Sequence, residues 1–191
     1  MLRSLTLALL TAHLVGCAAP PPLATAPLVD LPRFMGDWYV HAHVPVGAER
    51  AAHNAVESYA LDERGRVLTS YVFRAGAFDG ALEVMEPVGF VRSGSGAEWG
   101  MQFLWPFEAE YLIAHVDDAY SETIIARRKR DYAWIMTRDP EVSPERLAAL
   151  IERLAALGYA REAVRIVPHR WPDPEHPVTA AAGSLAEFTR R

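Results

Sequence analysis

From Leu31 to His169 the chain alternates short apolar-rich stretches with clusters of turn residues. Stretches of this kind at short intervals predict an all-β sandwich or barrel. The strands are expected at Trp38–His43, Ala55–Leu61, Val67–Phe73, Ala81–Val91, Glu98–Leu104, Tyr111–Val116, Glu122–Ala126 and Tyr132–Thr137. Asp62-Glu63-Arg64-Gly65, Arg92-Ser93-Gly94-Ser95-Gly96 and Asp117-Asp118 supply the turn chemistry between them. About eight antiparallel strands close into an up-and-down barrel just wide enough for one small ligand.

The period then changes. Ser143 is an N-cap, and Pro144 fits the first helical position. Leu147, Leu150, Ile151, Leu154 and Leu157 form one apolar stripe at helical spacing, and Gly158 ends it. Such a helix packs outside a barrel wall. Val164–Val167 reads as a short closing strand. From residue 170 to 191 the proline- and alanine-rich chain reads as a disordered tail.

The start of the chain carries an address. Residues 1–16 hold one charge, Arg3, before an apolar run too short to span a bilayer, as in a secretory signal. Leu14-Val15-Gly16-Cys17 resembles a bacterial lipobox, which implies cleavage before Cys17 and acylation there. Several acyl chains anchor stably where one does not. Ala18 after the cysteine implies, by the same resemblance, export to the outer membrane, with residues 17–30 as a lipidated tether. Cys17 is the only cysteine, so no intramolecular disulfide can form. Losing Arg3 with the leader leaves 18 basic against 24 acidic residues, a net charge of −6. Such a balance gives nucleic acid no basic footprint.

Three stretches carry a family resemblance. Gly36-Asp37-Trp38 opens the first strand, and Trp38 must bury most of its ring. Tyr111 to Tyr120 is a strand with a closing turn, and Asp131 to Pro140 is a last strand with Arg138 at its end. These resemble the three signatures of the lipocalins. Phe103-Leu104-Trp105-Pro106-Phe107 and Ala156-Leu157-Gly158-Tyr159 resemble the bacterial lipocalins in particular. The resemblance covers Leu31 to His169. One position departs from it: Ala119 stands where the second signature has an acid. The strand order brings the start of strand one, the Asp118–Tyr120 turn and the end of strand eight to one end of the barrel. Gly36, Trp38, Tyr120 and Arg138 are therefore read as closure residues, with Arg138 stacked on Trp38.

The mouth lies at the other end, framed by Val44–His53, Arg74–Gly80, Trp105–Glu110 and Arg127–Asp131. Alternation places Trp99, Met101, Phe103 and Trp105 on one inner face and Val56, Ser58 and Ala60 on another. Val40 and Ala42 follow Trp38 inward, Phe73 and Met85 are added, and Tyr39, His41 and His43 face out. An aromatic stripe of this kind either lines a cavity or fills a core, and the resemblance tilts the reading to a cavity. Arg127-Arg128-Lys129-Arg130 is the only cationic run, read as a mouth contact for an anionic headgroup through Arg127, Arg128 and Arg130, with a solvated hairpin as the plainer alternative.

Enzyme chemistry is not legible. There is no Gly-x-Ser-x-Gly, His-Glu-x-x-His or phosphate loop, and no third ligand is placed beside His41, His43 and His53 to make a metal site. No catalytic residue or cofactor is assigned. The expectation is a lipid-anchored lipocalin of the bacterial outer membrane, on the periplasmic side. The resemblance implies a fatty acid or lysophospholipid as ligand, bound without turnover. The alternative is an envelope lipoprotein with a filled barrel that acts through its surface. Monomer and homodimer both remain open.

Overall fold

The computed structural model describes residues 22–180; the leader, Cys17 and the chain after residue 180 lie outside the described residues. In chain order the elements are α1 (Leu31–Phe34), β1 (Gly36–Val44), a 3-10 turn (Gly47–Ala51), β2 (Ala52–Leu61), β3 (Val67–Ala75), β4 (Leu82–Met85) and β5 (Val88–Val91). Then follow β6 (Glu98–Leu104), β7 (Phe107–Val116), β8 (Glu122–Ala126), β9 (Ala133–Thr137), α2 (Pro144–Ala156), β10 (Arg165–Ile166) and α3 (Pro177–Ala180).

The strands pair antiparallel in the order β10-β1-β2-β3-β5-β6-β7-β8-β9, and β9 returns to pair with β1 from Tyr39↔Thr137 to Val44↔Ala133, which closes the barrel. β4 and β5 are two halves of one wall position, since both pair with β3. The sequence predicts a single strand over Ala81–Val91. Glu86-Pro87 splits it because proline has no N–H to give the ladder; the Pro87 carbonyl instead accepts from the Thr69 amide and hydroxyl.

Two bulges decide which residues face inward. The β1–β9 register shifts between Val40 and Ala42, and the β2–β3 register shifts between His53 and Val56. Asn54, in that second bulge, has φ +48°, a conformation that asparagine tolerates better than most residues. A one-residue slip exchanges the two faces of everything downstream.

Helix α2 caps as expected: the Ser143 side chain accepts from the Arg146 amide. Its buried Leu150 and Leu154 press on Ala42, Val44, Leu112, Ile124, Ala126, Ala133 and Ile135 of the outer wall. The stripe thus gives the helix its place in the sheet's shadow.

Both ends of the described chain correct the sequence reading. Residues 23–30 are no free tether. Leu23, Ala26 and Val29 are buried, and Ala26 and Val29 donate backbone hydrogen bonds to Ile113 and Ser95. These residues recur at every third position, which gives an extended proline-rich chain one apolar face. Residues 170–178 are no disordered tail. Asp173 receives a two-pronged ion pair from Arg74 (2.7 and 2.8 Å) and a hydrogen bond from Asn54 (3.0 Å). His176 is buried beside the Val72 carbonyl. Composition suggested disorder, but a buried arginine fork holds the segment down.

Candidate ligand-binding site

The two ends of the barrel are built differently. At one end Trp38 lies fully buried and donates its indole N–H to the Phe34 carbonyl (2.9 Å). The guanidinium of Arg138 sits 3.8 Å over the Trp38 ring. Its nitrogens donate to the carbonyls of Asp37, Arg33, Phe34, Met35 and, more loosely, Tyr120. Burial draws the Arg138 pKa down to about 10. Gly36 has φ +93°, and a Cβ there would come within 3.3 Å of the Arg138 guanidinium. Tyr120 accepts the Asp30 amide at its hydroxyl (2.7 Å), while Arg33 lies over its ring. The turn that carries Ala119 is held by Asp117, which accepts from the amides of Ser121 and Glu122 and from the Ser121 hydroxyl. All four closure residues named from sequence meet here.

Above this plug, rings fill the next layer. Trp99 stacks on Tyr111, and Phe34 and Tyr59 pack edgewise or tilted against them. The Tyr59 and Tyr111 hydroxyls share a hydrogen bond.

Beyond the rings the barrel is hollow. A cavity of about 330 Å³ opens at the mouth, with Met85, Pro87, Met101, Phe103, Tyr71 and Trp134 among its lining. That volume suits one slender ligand. Met85, Met101 and Phe103, expected from sequence, do line it. Trp99 is instead part of the ring layer, and Phe73 and Val40 belong to the packed interior. Trp105 is 79% exposed at the tip of the β6–β7 hairpin, because β6 ends at Leu104 and Trp105 opens the turn to β7.

The bulge at Asn54 overturns the expected face of β2. Val56 pairs with Tyr39 and Val72, and Ser58 donates to Asp37 (2.6 Å), so both lie on the outer face, with Ala60 following them. Glu57 and Tyr59 face inward instead. The β1 bulge likewise sends Ala42 out beneath α2. It pairs His43 with Trp134, which puts His43 on the inner face by register. Burial and the nearby Arg165 bring the His43 pKa down to about 4. His41 stays outside, bonded to Thr137 (2.8 Å) and packed on His169. His53, further along, bonds to the Ala51 carbonyl.

Two acids that the expected wall does not include stand in this lining. Glu49, on the 3-10 turn across the mouth, is buried; it accepts the Val46 amide (2.9 Å) and the Trp134 indole N–H (3.2 Å). The buried Tyr71 hydroxyl has no hydrogen-bond partner, and burial, with the Glu49 charge nearby, pushes its pKa well up. Glu57 is 1% exposed, and its buried Oε2 has no hydrogen-bond partner. Burial, with Glu49 nearby, holds the Glu57 carboxyl well above the usual carboxylate range. Asn54 was the available signal, since a left-handed residue inside a strand shifts parity.

The cationic run divides. Arg127 lines the cavity and faces Asp131 (3.6 Å). Arg128 is tied to Glu98 and Glu110, and Arg130 turns away to the Leu157 and Arg128 carbonyls. Only Arg127 of the three is placed to meet a ligand inside.

A closed antiparallel barrel, plugged at one end by an arginine-capped tryptophan, with a cavity at the other and a helix outside, defines a lipocalin. A lipocalin-like domain family matches residues 29–169, and the chain belongs to that family. It is 27% identical over 138 residues to the outer membrane lipoprotein Blc of Citrobacter freundii, covering 69% of this chain and 76% of that protein. With the Vibrio cholerae protein of the same name it shares 25% over 164 residues, or 83% of this chain and 94% of that one. Among solved structures it is similar in fold to insecticyanin from the tobacco hornworm (TM-score 0.61, 14% identity, 81% of this chain and 87% of that one). It is also similar to apocrustacyanin C2 (TM-score 0.58, 12% identity, 74% and 80%).

Proposed function

We propose that this lipocalin carries a single-chain amphiphile in its barrel, without turnover, from a lipid anchor at Cys17 in the bacterial outer membrane. The carrying observation is the apolar-lined cavity of about 330 Å³ that opens at the mouth. Transfer of an acyl chain from water to such a lining contributes about 0.8 kcal/mol per methylene. The relatives named outer membrane lipoprotein support the anchor and its membrane. Fatty acids and lysophospholipids are the ligand classes with the right shape, one chain for one slender cavity. The hollow interior favours a carrier over a filled barrel that works through its surface.

The test is native mass spectrometry on the full chain purified in a mild detergent, then challenged with lysophospholipid and with fatty acid. A one-to-one adduct is expected, lost when Met101→Trp fills the cavity. A folded protein that takes up neither ligand overturns the carrier reading, and steady conversion of bound lipid to product overturns the absence of turnover.

A further inference from the structure

The cavity asks for more than an acyl chain. A carboxyl group facing an apolar ligand site, with an oxygen left unbonded, is costly unless a ligand completes it. Glu57 is in that position: fully inside the barrel, in the cavity lining, with its Oε2 unpartnered. Its cross-strand neighbours are Trp38 on one side and Tyr71 on the other, so no cation of the protein reaches it from the strands it pairs with. The remaining charged groups of the lining do not supply one. Glu49 carries the same sign, and Glu110 is held by Arg128. Arg127, whose buried Nε has no hydrogen-bond partner, is turned to Asp131 at the mouth hairpin, with burial and Glu49 alone acting on the Glu57 carboxyl.

The walls around this acid are aromatic. Tyr71 packs on Trp134 (ring centroids 4.7 Å), and Tyr111 and Tyr132 pack on the same indole at 6.3 and 5.3 Å. An acid set among aromatic faces is the chemistry that receives an ammonium group, because ring faces and a carboxylate attract a cation together. A carboxylate headgroup meets the opposite situation: two acids in one dry pocket cannot both ionise.

From this geometry we infer that the inner cavity binds an ammonium group carried on an apolar body, with Glu57 as its counter-ion and Tyr71, Tyr111 and Trp134 as its walls. The inference rests on the carrier reading and narrows it, favouring amine-bearing amphiphiles over plain fatty acids. Glu49, which bonds across the mouth to Trp134, holds the turn that roofs the site. The ammonium arrives already protonated, so pairing with it releases the Glu57 proton to solvent, and the buried acid becomes charged only when its partner is present.

The experiment compares decylamine, decanoate and decanol, all below their micelle concentrations, by calorimetry on the full chain in mild detergent and on Glu57→Gln. Decylamine is expected to bind with a stoichiometry of one and at least about tenfold more tightly than either of the others. Glu57→Gln, which keeps the shape and removes the charge, is expected to weaken decylamine about thirtyfold or more and to leave decanoate equal or tighter. Decanoate or decanol binding as tightly as decylamine overturns the proposal and leaves the carrier reading standing. An unchanged preference in Glu57→Gln also overturns it. If none of the three binds, both readings fall. The preference of the unsubstituted protein decides the matter by itself should the variant not fold.

Discussion

Arg138 and Glu57 are both ionisable side chains drawn into one barrel, and they are treated in opposite ways. Arg138 gives its donors to backbone carbonyls and lies on the Trp38 ring. Glu57 keeps an oxygen with no partner. The first pattern is that of a charge used to hold a fold together, because a fully bonded buried ion can rigidify what surrounds it. The second is that of a charge held in reserve. A protein that leaves an acid unpaired loses stability, and such losses gather where ligands bind.

Arg138→Met is expected to destabilise by about 3–4 kcal/mol, since several carbonyls lose their donor at once. Urea denaturation reads this, and the folded fraction should bind ligand as before; a loss under about 1 kcal/mol would erase the contrast between the two ends.

Acid titration comes next in size. His43 and His169 both have pKa values lowered to about 4, chiefly by burial. Their unfolded forms take up protons below about pH 6.5 while the folded forms refuse them until about 4. Stability is therefore intact above about 6.5 and falls by roughly 2–3 kcal/mol per histidine as pH drops across that window. Glu57 has the opposite sign. Its raised folded pKa means that stability falls as pH rises above the ordinary carboxylate value near 4.5. The histidine limb should thus be steeper in Glu57→Gln than in the unsubstituted protein.

Glu57→Leu sharpens the comparison from the other side. Replacing an unpaired buried acid with an apolar side chain is expected to stabilise by about 1–2 kcal/mol and to remove the amine preference. A destabilised variant would mean that Glu57 is bonded within the fold after all. The smallest global effect is expected from Asp173→Asn. That change weakens the Arg74 clamp, raises protease cleavage within residues 170–178 as read by mass spectrometry, and leaves the unfolding temperature within a few degrees of the starting value.

Most of the barrel was legible because its signals are local: alternation, turn residues, a capped amphipathic helix and a Trp–Arg pair at one end. The cavity wall was not, and the reason is equally local. Met101 lies before the irregularity in β6 and Phe103 within it, and both line the cavity as expected, while Trp105 lies past the end of the strand. Val56 and Ser58 follow the Asn54 bulge, and their faces were exchanged. The ordered segments at 23–30 and 170–178 were missed because composition records what a chain tends to do alone. Arg74, which holds the second of them, lies about a hundred residues away.

The Asn54 bulge behaves like a frameshift in the strand's inside–outside code. Asn54 is held on both sides by the C-terminal segment: its amide reaches the Pro168 carbonyl, and its side chain bonds to Asp173 and the Arg170 backbone. What β2 shows the ligand is therefore written at the far end of the chain. Anyone grafting this pocket onto another barrel would have to carry residues 168–176 along with β2, or transplant the outer face in place of the inner one.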